Sequence, residues 1–413
     1  MPASARKPKP SVLAVLPELQ PDFRLLQSRR HVALAVSGGS DSVALLRLVH
    51  SWAADLEQHP KISVLTVDHG LRSGSQAEAA QAGEWATALS LDHHTLAWTG
   101  PKPVTGLQAK ARQARYGLMT AWCRANDAEL LVTGHTMDDQ AETVLMRLQR
   151  TTSPDSLAGI PANGQWDGLP LVRPLLSLRR EALRDYLSAI GQNWIEDPGN
   201  ADRRFERVRI RDSLTEMAGS ELTVERLTAL AQSCARTANL LDRCAESWIE
   251  LWLREDEAGI CYAPSWELSA LPQALQQRIF ARIVSHYGGG RLKPERDELA
   301  RLTQWLKEGP VRCTLCGAVL GRRRHEFWVT REASRIDRAP LTVGETGQAI
   351  WDGRFVIAAP EGSVVVPAGE NAVELGKGVP VYARRAYPVV GLPEGSAGLD
   401  MPVKVSFLRL KTS

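Results

Sequence analysis

At 413 residues, 44% hydrophobic and 23% charged, the chain has an ordinary globular balance with length for two or three domains, which excludes disordered and fibrous classes. Its formal net charge of +3 is too small for the whole surface to attract nucleic acid, so any RNA contact must rest on local basic clusters. Six scattered cysteines make no disulfide framework at this length and suit a reducing cytosol. The one C-x-x-C, Cys313 with Cys316, has only His325 near it and is assigned no metal.

Residues 1–28 are expected to form a flexible tail, in which Pro17 and Glu18 interrupt the apolar run before it could serve as a signal-peptide core. No stretch is long and apolar enough to span a bilayer, so a cytoplasmic protein without membrane contact is expected. Val32 to Val36 then reads as a buried parallel strand, Ser37 to Ser42 as a turn, and Val43 to Val49 as the start of a helix packed back on the sheet. Gly38 and Gly39 permit positive φ and a close backbone approach. The amides and dipole of the following helix favour an anion, so strand, turn and helix together predict a phosphate site. Ser37, Ser40 and Ser42 add hydroxyls, while Asp41 reads as a Mg²⁺ ligand, a helix N-cap, or both. Spacing excludes both the G-x-x-x-x-G-K-[ST] loop and the G-x-G-x-x-G fingerprint.

Lys61 to Val67 is a second strand running into Asp68-His69-Gly70-Leu71-Arg72, a polar cluster where open α/β sheets place ligands. A helix over Gln76 to Leu89, a strand over His93 to Trp98 and a long helix over Leu107 to Asn126 follow. Arg112 and Arg115, three apart on that helix, can reach one phosphate or form a solvated basic stripe. A fourth strand, Glu129 to Thr133, ends in TGHTMDDQAET. His135 stands at the strand tip, Asp138 and Asp139 open the next helix where they could hold Mg²⁺, and Glu142 lies one turn on. The alternation predicts an α/β domain over 29–215 with a doubly wound parallel sheet.

Arg203, Arg204, Arg207, Arg209 and Arg211 form the densest basic run, either a stripe for a phosphate backbone or a salt-bridged surface helix. Residues 216–335 read as mainly helical, with strands near Val311 to Thr330 that carry a second cluster, Arg322, Arg323 and Arg324. Residues 341–413, rich in Gly, Pro and Val, should form a small β-rich domain.

S-G-G-S-D-S resembles the pyrophosphate loop of the N-type ATP pyrophosphatases. With V-D-H-G-L-R at 67–72, A-R-Q-A-R-Y at 111–116, G-H-T-M-D-D-Q-A-E-T at 134–143, R-P-L-L at 173–176 and E-D-P-G-N at 196–200, the ordered set resembles the tRNA(Ile)-lysidine synthase family. The resemblance is specific over residues 30–212, and W-D-G-R-F at 351–355 extends it weakly toward the tail. It implies an enzyme that joins L-lysine to C2 of the wobble cytidine of a CAU-anticodon isoleucine tRNA, through an adenylated cytidine, with ATP as substrate and Mg²⁺. It further implies that Ser37, Gly38, Gly39, Ser40, Asp41 and Ser42 bind ATP, and that Asp41 with Asp138 or Asp139 holds the metal. Arg112 and His135 would stabilise the α-phosphate, and Asp68 and Glu142 would orient the lysine. Arg203, Arg204, Arg207, Arg322, Arg323 and Arg324 would bind tRNA through the two C-terminal domains, with a homodimer as one candidate assembly.

Two stretches depart from the family pattern. RTTSPDSLAGI replaces a Gly-rich basic stretch, so a flexible loop is expected over Thr152 to Gly159, and the tail from Tyr382 to Leu399 also differs. The competing readings are a tRNA-thiolating ATP pyrophosphatase and a catalytically silent RNA-binding relative.

Overall fold

The computed structural model describes residues 21–71, 74–100, 102–103, 106–196, 203–204, 206–216, 221–290, 292–369, 380–393 and 403–410. Residues 1–20, Arg72 and residues 197–200 lie outside them, whereas the rest of the expected flexible tail over 1–28 carries a helical turn, Arg24–Gln27, that buries Phe23 and Leu26 in the core of the first unit. The chain divides into two compact units, Met1–Thr237 and Ala238–Ser413, and the division falls inside the helix Val224–Trp252.

The first unit is built on a six-stranded sheet of order β3-β2-β1-β4-β6-β5. Its strands are β1 (His31–Ala35), β2 (Lys61–Asp68), β3 (Asp92–Ala97), β4 (Leu130–Thr133), β5 (Asn163–Trp166) and β6 (Leu169–Val172). All pairings are parallel except β5 with β6. Both faces are covered, and the sequence of β1 shows how. Val32 and Leu34 face a core made with α1 (Ser40–Ala54), α2 (Ser75–Ala88) and α5 (Arg180–Ala189), while Ala33 faces Tyr116, Met119 and Cys123 of α3 (Leu107–Ala125). In α1, Val43, Leu45, Leu46, Leu48 and Val49 are all fully buried, each contributing about 1.5–3 kcal/mol by leaving water. This is the doubly wound parallel sheet that the strand and helix alternation predicts.

The β5–β6 hairpin is an element that the sequence reading does not contain. Its two-residue turn, Asp167-Gly168, has φ of 49° and 78°, the conformation for which Asp-Gly is suited. Because β1 lies between β2 and β4, the strand order reverses between β1 and β4, and their C-terminal ends open a crevice there. The loop before α1 and the loop before α4 (Met137–Leu148) both enter it.

The segment expected as a flexible loop over Thr152 to Gly159 instead forms a helical turn, Pro154–Leu157, held against α4. Arg147 donates to the Ser156 and Gly159 carbonyls at 2.7 and 2.9 Å, and Gln140 exchanges two hydrogen bonds with the Ile160 backbone. Two α4 side chains thus satisfy backbone groups that a loop would leave to solvent.

The second unit carries a five-stranded antiparallel sheet of order β7-β8-β11-β10-β9, namely Arg254–Glu255, Cys261–Pro264, Glu326–Arg331, Ala318–Arg322 and Arg312–Leu315. Helices Gln273–Tyr287 and Arg296–Glu308 share its core. Two three-stranded antiparallel sheets follow, from strands between Leu341 and Phe407. Cys313 lies on β9 and Cys316 in the turn after it, with φ of 48°. No group of three or more His, Cys, Asp or Glu stands ready for a metal among the described residues.

Candidate active site

The site begins with two loops forced into contact. Gly39, in extended conformation, is the N-cap of α1, and Gly38 before it has φ of 88°, so only Gly38 uses the left-handed freedom expected of both. A Cβ on Gly38 would lie 2.5 Å from Ile195 Cδ1, and a Cβ on Gly134 would lie 2.8 Å from the Asp41 carbonyl oxygen. Gly134 therefore lets the exit of β4 close on the start of α1. A Cβ on Gly39 would meet only Ser37 Oγ, at 3.9 Å, which leaves that side open to a phosphate.

The first amides of a helix have no partner within it. Those of Ser42 and Val43 turn back to the Gly39 carbonyl, whereas those of Ser40 and Asp41 donate to no acceptor among the described residues. Ser42 Oγ accepts from the Ser37 amide and donates to Gly39, fixing the turn. Ser37 to Ser42 thus form a cradle of amides and hydroxyls at a helix N-terminus, suited to a polyphosphate.

Asp139 serves the second loop with one oxygen and the site with the other. Its Oδ2 accepts from the Thr136 amide at 2.7 Å and closes a capping box at the start of α4. Its Oδ1 accepts from Arg180 at 3.0 Å and Arg207 at 2.7 Å. Burial alone would raise its pKa, but Arg207, Arg180 and His135 outweigh burial and hold it low.

Arg180 also donates to Asp41 at 2.9 Å and to Glu142 at 3.2 Å. Burial raises the Asp41 carboxyl above its usual range; Arg180 opposes the shift and Asp139 adds to it. Glu142 is 1% exposed and meets Arg207 at 2.6 Å and Arg211 at 2.9 Å as well. Asp138 turns elsewhere, accepting from the Arg180 amide at 2.7 Å and from the Arg179 side chain at 3.3 Å. Of the two carboxylates expected beside Asp41 at a metal, Asp138 or Asp139, it is Asp139 that shares the Arg180 guanidinium with Asp41. Asp41 and Asp139, two of the three carboxylates around the Arg180 charge, fit Mg²⁺, which takes one or two protein carboxylates and completes its shell with phosphate oxygens and water.

His135 is largely buried. Desolvation pushes it down to about 3, with Arg173, Arg112 and Arg207 reinforcing the shift and Asp139 opposing it, so the imidazole is neutral at pH 7. Its Nδ1 is 2.9 Å from Thr133 Oγ1. Arg112 lies over the Tyr116 ring at 4.9 Å, and that ring stacks on Trp166. Asp68 stands apart from the acidic cluster. It accepts from Ser75 and from the Gly70 amide, which lower its pKa, and among the described residues it shares no partner with Glu142.

These distances put the cradle, the acid pair and a neutral histidine at one sheet edge. Residues 13–218 match the family model described as the PP-loop domain. A tRNA(Ile)-lysidine synthase of Ruegeria pomeroyi is 39% identical over 347 residues, covering 83% of this chain and 79% of that one. Proteins of the same name from Methylobacterium nodulans (41% identical, 70% of this chain, 86% of that one) and Mesorhizobium japonicum (39%, 82% and 75%) are also similar. The chain belongs to the tRNA(Ile)-lysidine synthase family.

As a member of that family it is an enzyme with a PP-loop domain and ATP as substrate. Five arginines stand at the site that sequence reasoning does not place there, Arg179, Arg180, Arg184, Arg207 and Arg211. Arg179 and Arg180 open α5, and basic residues at a helix start run against the dipole. That local conflict was a legible signal, and Asp138 resolves it. Arg184, one turn on, reaches Ser40 Oγ at 3.4 Å. Arg211, like Arg207, turns inward from α6 (Glu206–Glu216), so part of the expected tRNA-facing stripe is committed to the carboxylates. Arg203 pairs with Asp212 and stays exposed, as does Arg204. Arg322 donates to the Leu306 and Gly309 carbonyls and so closes the end of helix Arg296–Glu308, leaving Arg323 and Arg324 exposed.

Proposed function

We propose that the crevice between β1 and β4 carries out both steps of lysidine formation on a CAU-anticodon isoleucine tRNA. In the first, O2 of the wobble cytidine attacks the α-phosphorus of ATP, the bond to the β-phosphate oxygen breaks, and pyrophosphate leaves. In the second, the ε-amine of L-lysine attacks C2, the C2–O2 bond breaks, AMP leaves with that oxygen, and the amine loses a proton. The observation that carries this reading is the contact of the amide cradle at Ser37–Ser42 with the Asp139 loop at a strand-order reversal.

In this scheme Ser37, Gly38, Gly39, Ser40 and Ser42 hold the departing pyrophosphate, with Arg184 beside them. Asp41 and Asp139 hold Mg²⁺, which when bound supplies positive charge against the developing negative charge on the phosphates. Asp138 fixes the start of α5. Arg112 and neutral His135 donate to the α-phosphate. Asp68 and Glu142 are assigned to the lysine ammonium, Glu142 by exchange with the arginines that now neutralise it. Residues 29–215 would form the catalytic domain, and 216–335 and 341–413 the tRNA-binding domains, with Arg203, Arg204, Arg323 and Arg324 facing the phosphate backbone. We place the work in the cytoplasm, and a homodimer would show as twice the chain mass in light scattering.

The thiolation reading needs a low-pKa thiol. Cys123, the one cysteine of the first 215 residues, is fully buried on α3, and desolvation pushes it up to about 12. The test is pyrophosphate release and labelled-lysine incorporation with a CAU-anticodon isoleucine tRNA, using a methionine tRNA as control. Lysine entering the first tRNA alone supports the assignment. Pyrophosphate without lysine transfer means that the acceptor is wrong, and neither product would favour a silent RNA-binding relative.

A further inference from the structure

Asp41, Asp138, Asp139 and Glu142 are matched by four guanidiniums, Arg179, Arg180, Arg207 and Arg211, in ion pairs of 2.6 to 3.3 Å. The pairing is uneven. Asp139 keeps Arg207, Glu142 keeps Arg207 and Arg211, and Asp138 keeps Arg179 whether or not Arg180 is there. Asp41 has Arg180 alone among the described residues. Withdrawing that one guanidinium would leave Asp138, Asp139 and Glu142 each still paired with an arginine, Arg179 being shared with the exposed Glu225, and a single carboxylate, Asp41, open to another cation beside Asp139.

Arg180 is also anchored so that only its side chain need move. Its backbone amide is held by Asp138 at 2.7 Å, and α5 is fixed by the buried Leu183, Tyr186 and Leu187. The guanidinium itself is 16% exposed and spreads its three nitrogens over three different carboxylates. Its pKa is raised because Asp41, Asp139 and Glu142 outweigh its burial, so it remains a cation throughout.

We propose that Arg180 is a positioning residue that occupies the divalent-cation place between Asp41 and Asp139 before nucleotide binds, and yields it only when metal arrives with ATP. Metal alone would add two positive charges to a balanced cluster and expel a third. Metal with ATP brings net negative charge, so the displaced guanidinium finds phosphate oxygens in place of Asp41. The proposal rests on the nucleotide reading of the crevice but not on lysine transfer.

Mn²⁺ serves as the probe, titrated by calorimetry or electron paramagnetic resonance into the full chain without tRNA or lysine. The wild-type chain is expected to bind Mn²⁺ at least tenfold more tightly with a non-hydrolysable ATP analogue than without. Arg180→Gln is expected to bind Mn²⁺ without nucleotide at least tenfold more tightly than wild type, and Asp41→Asn in that background should remove the gain. A merely structural arginine would shift the melting temperature and leave Mn²⁺ affinity unchanged. A folded Arg180→Gln chain with wild-type affinity overturns the proposal, as does a wild-type chain that binds Mn²⁺ equally well with and without nucleotide. Should Arg180→Gln not fold, Arg180→Lys carries the same comparison, because a single ammonium nitrogen cannot stand at the three positions that the guanidinium nitrogens occupy. A gain of at least threefold is expected there, and no gain overturns the proposal. Failure of lysine incorporation with these Mn²⁺ results intact would count against the proposed reaction alone.

Discussion

Two of this chain's clusters of arginine and carboxylate do different work. In the second unit, Asp352 joins Arg331 at 2.9 Å and Arg354 at 3.0 Å, with all three side chains under 5% exposed. Further donors are taken as well: Arg331 donates to the Gly288, Gly317 and Arg335 carbonyls, and Arg354 to that of Ala386. Both Asp352 oxygens and all three Arg331 nitrogens have fixed partners, so the W-D-G-R-F stretch is a clasp between a hairpin and its neighbours. At the crevice of the first unit, by contrast, one acid has one shared guanidinium among the described residues, and two amides of the phosphate cradle beside it meet no acceptor among them. A saturated cluster stabilises, whereas a cluster with one exchangeable partner can admit a ligand.

The comparison can be broken first at the clasp. Asp352→Asn leaves two buried guanidiniums unpaired, one of which, Arg354, burial already pushes down to about 10. A loss of about 3–5 kcal/mol is expected in urea unfolding, and a loss under about 1 kcal/mol would show that the clasp is not closed. At the crevice, Asp41→Ala should lower pyrophosphate release about 10²–10³-fold while changing stability by less than about 1 kcal/mol. Near-wild-type turnover would remove Asp41 from the mechanism.

The same contrast recurs inside one basic cluster. Arg322→Ala should cost about 1–2 kcal/mol of stability, because two helix-end carbonyls lose a charged donor. Arg324→Ala should leave stability unchanged and weaken tRNA binding in a salt-dependent way, reducing the salt slope by about 1. The reverse assignment would exchange their structural and RNA-facing roles.

The smallest effect concerns His135. Its folded pKa lies below the unfolded value, so between about pH 6.5 and 3 the unfolded chain binds the extra proton and stability falls as pH falls. His135→Gln should therefore lose roughly 0.7 kcal/mol less than wild type on going from pH 7 to 6. Equal losses would mean that His135 is not buried as a neutral group.

Much of the crevice was legible because its chemistry is local. S-G-G-S-D-S sits between a strand and a helix, and Thr136 with Asp139 caps α4 over three residues. The β5–β6 hairpin was missed although Asp167-Gly168 announces it, and the two-residue strand Arg254–Glu255 is too short to carry a pattern. The basic run at 203–211 reads from sequence either as a phosphate-facing stripe or as a salt-bridged helix, and its spacing does not divide it. Packing of Ile210 with Ala141 and Val144 in one core turns Arg207 and Arg211 toward the acids and leaves Arg203 outside.

By itself the sequence determined the periodicity of the buried strands, the glycine that the phosphate turn requires, and the acids at the helix start, since each depends on neighbours within a few residues. Only the tertiary structure decided which carboxylate shares a cation with Asp41 and which arginine supplies that cation. Arg180 and Asp41 are 139 positions apart, and α5 must dock on the sheet before their charges meet. Charge pairing at that separation follows from the fold and leaves no spacing rule in the chain.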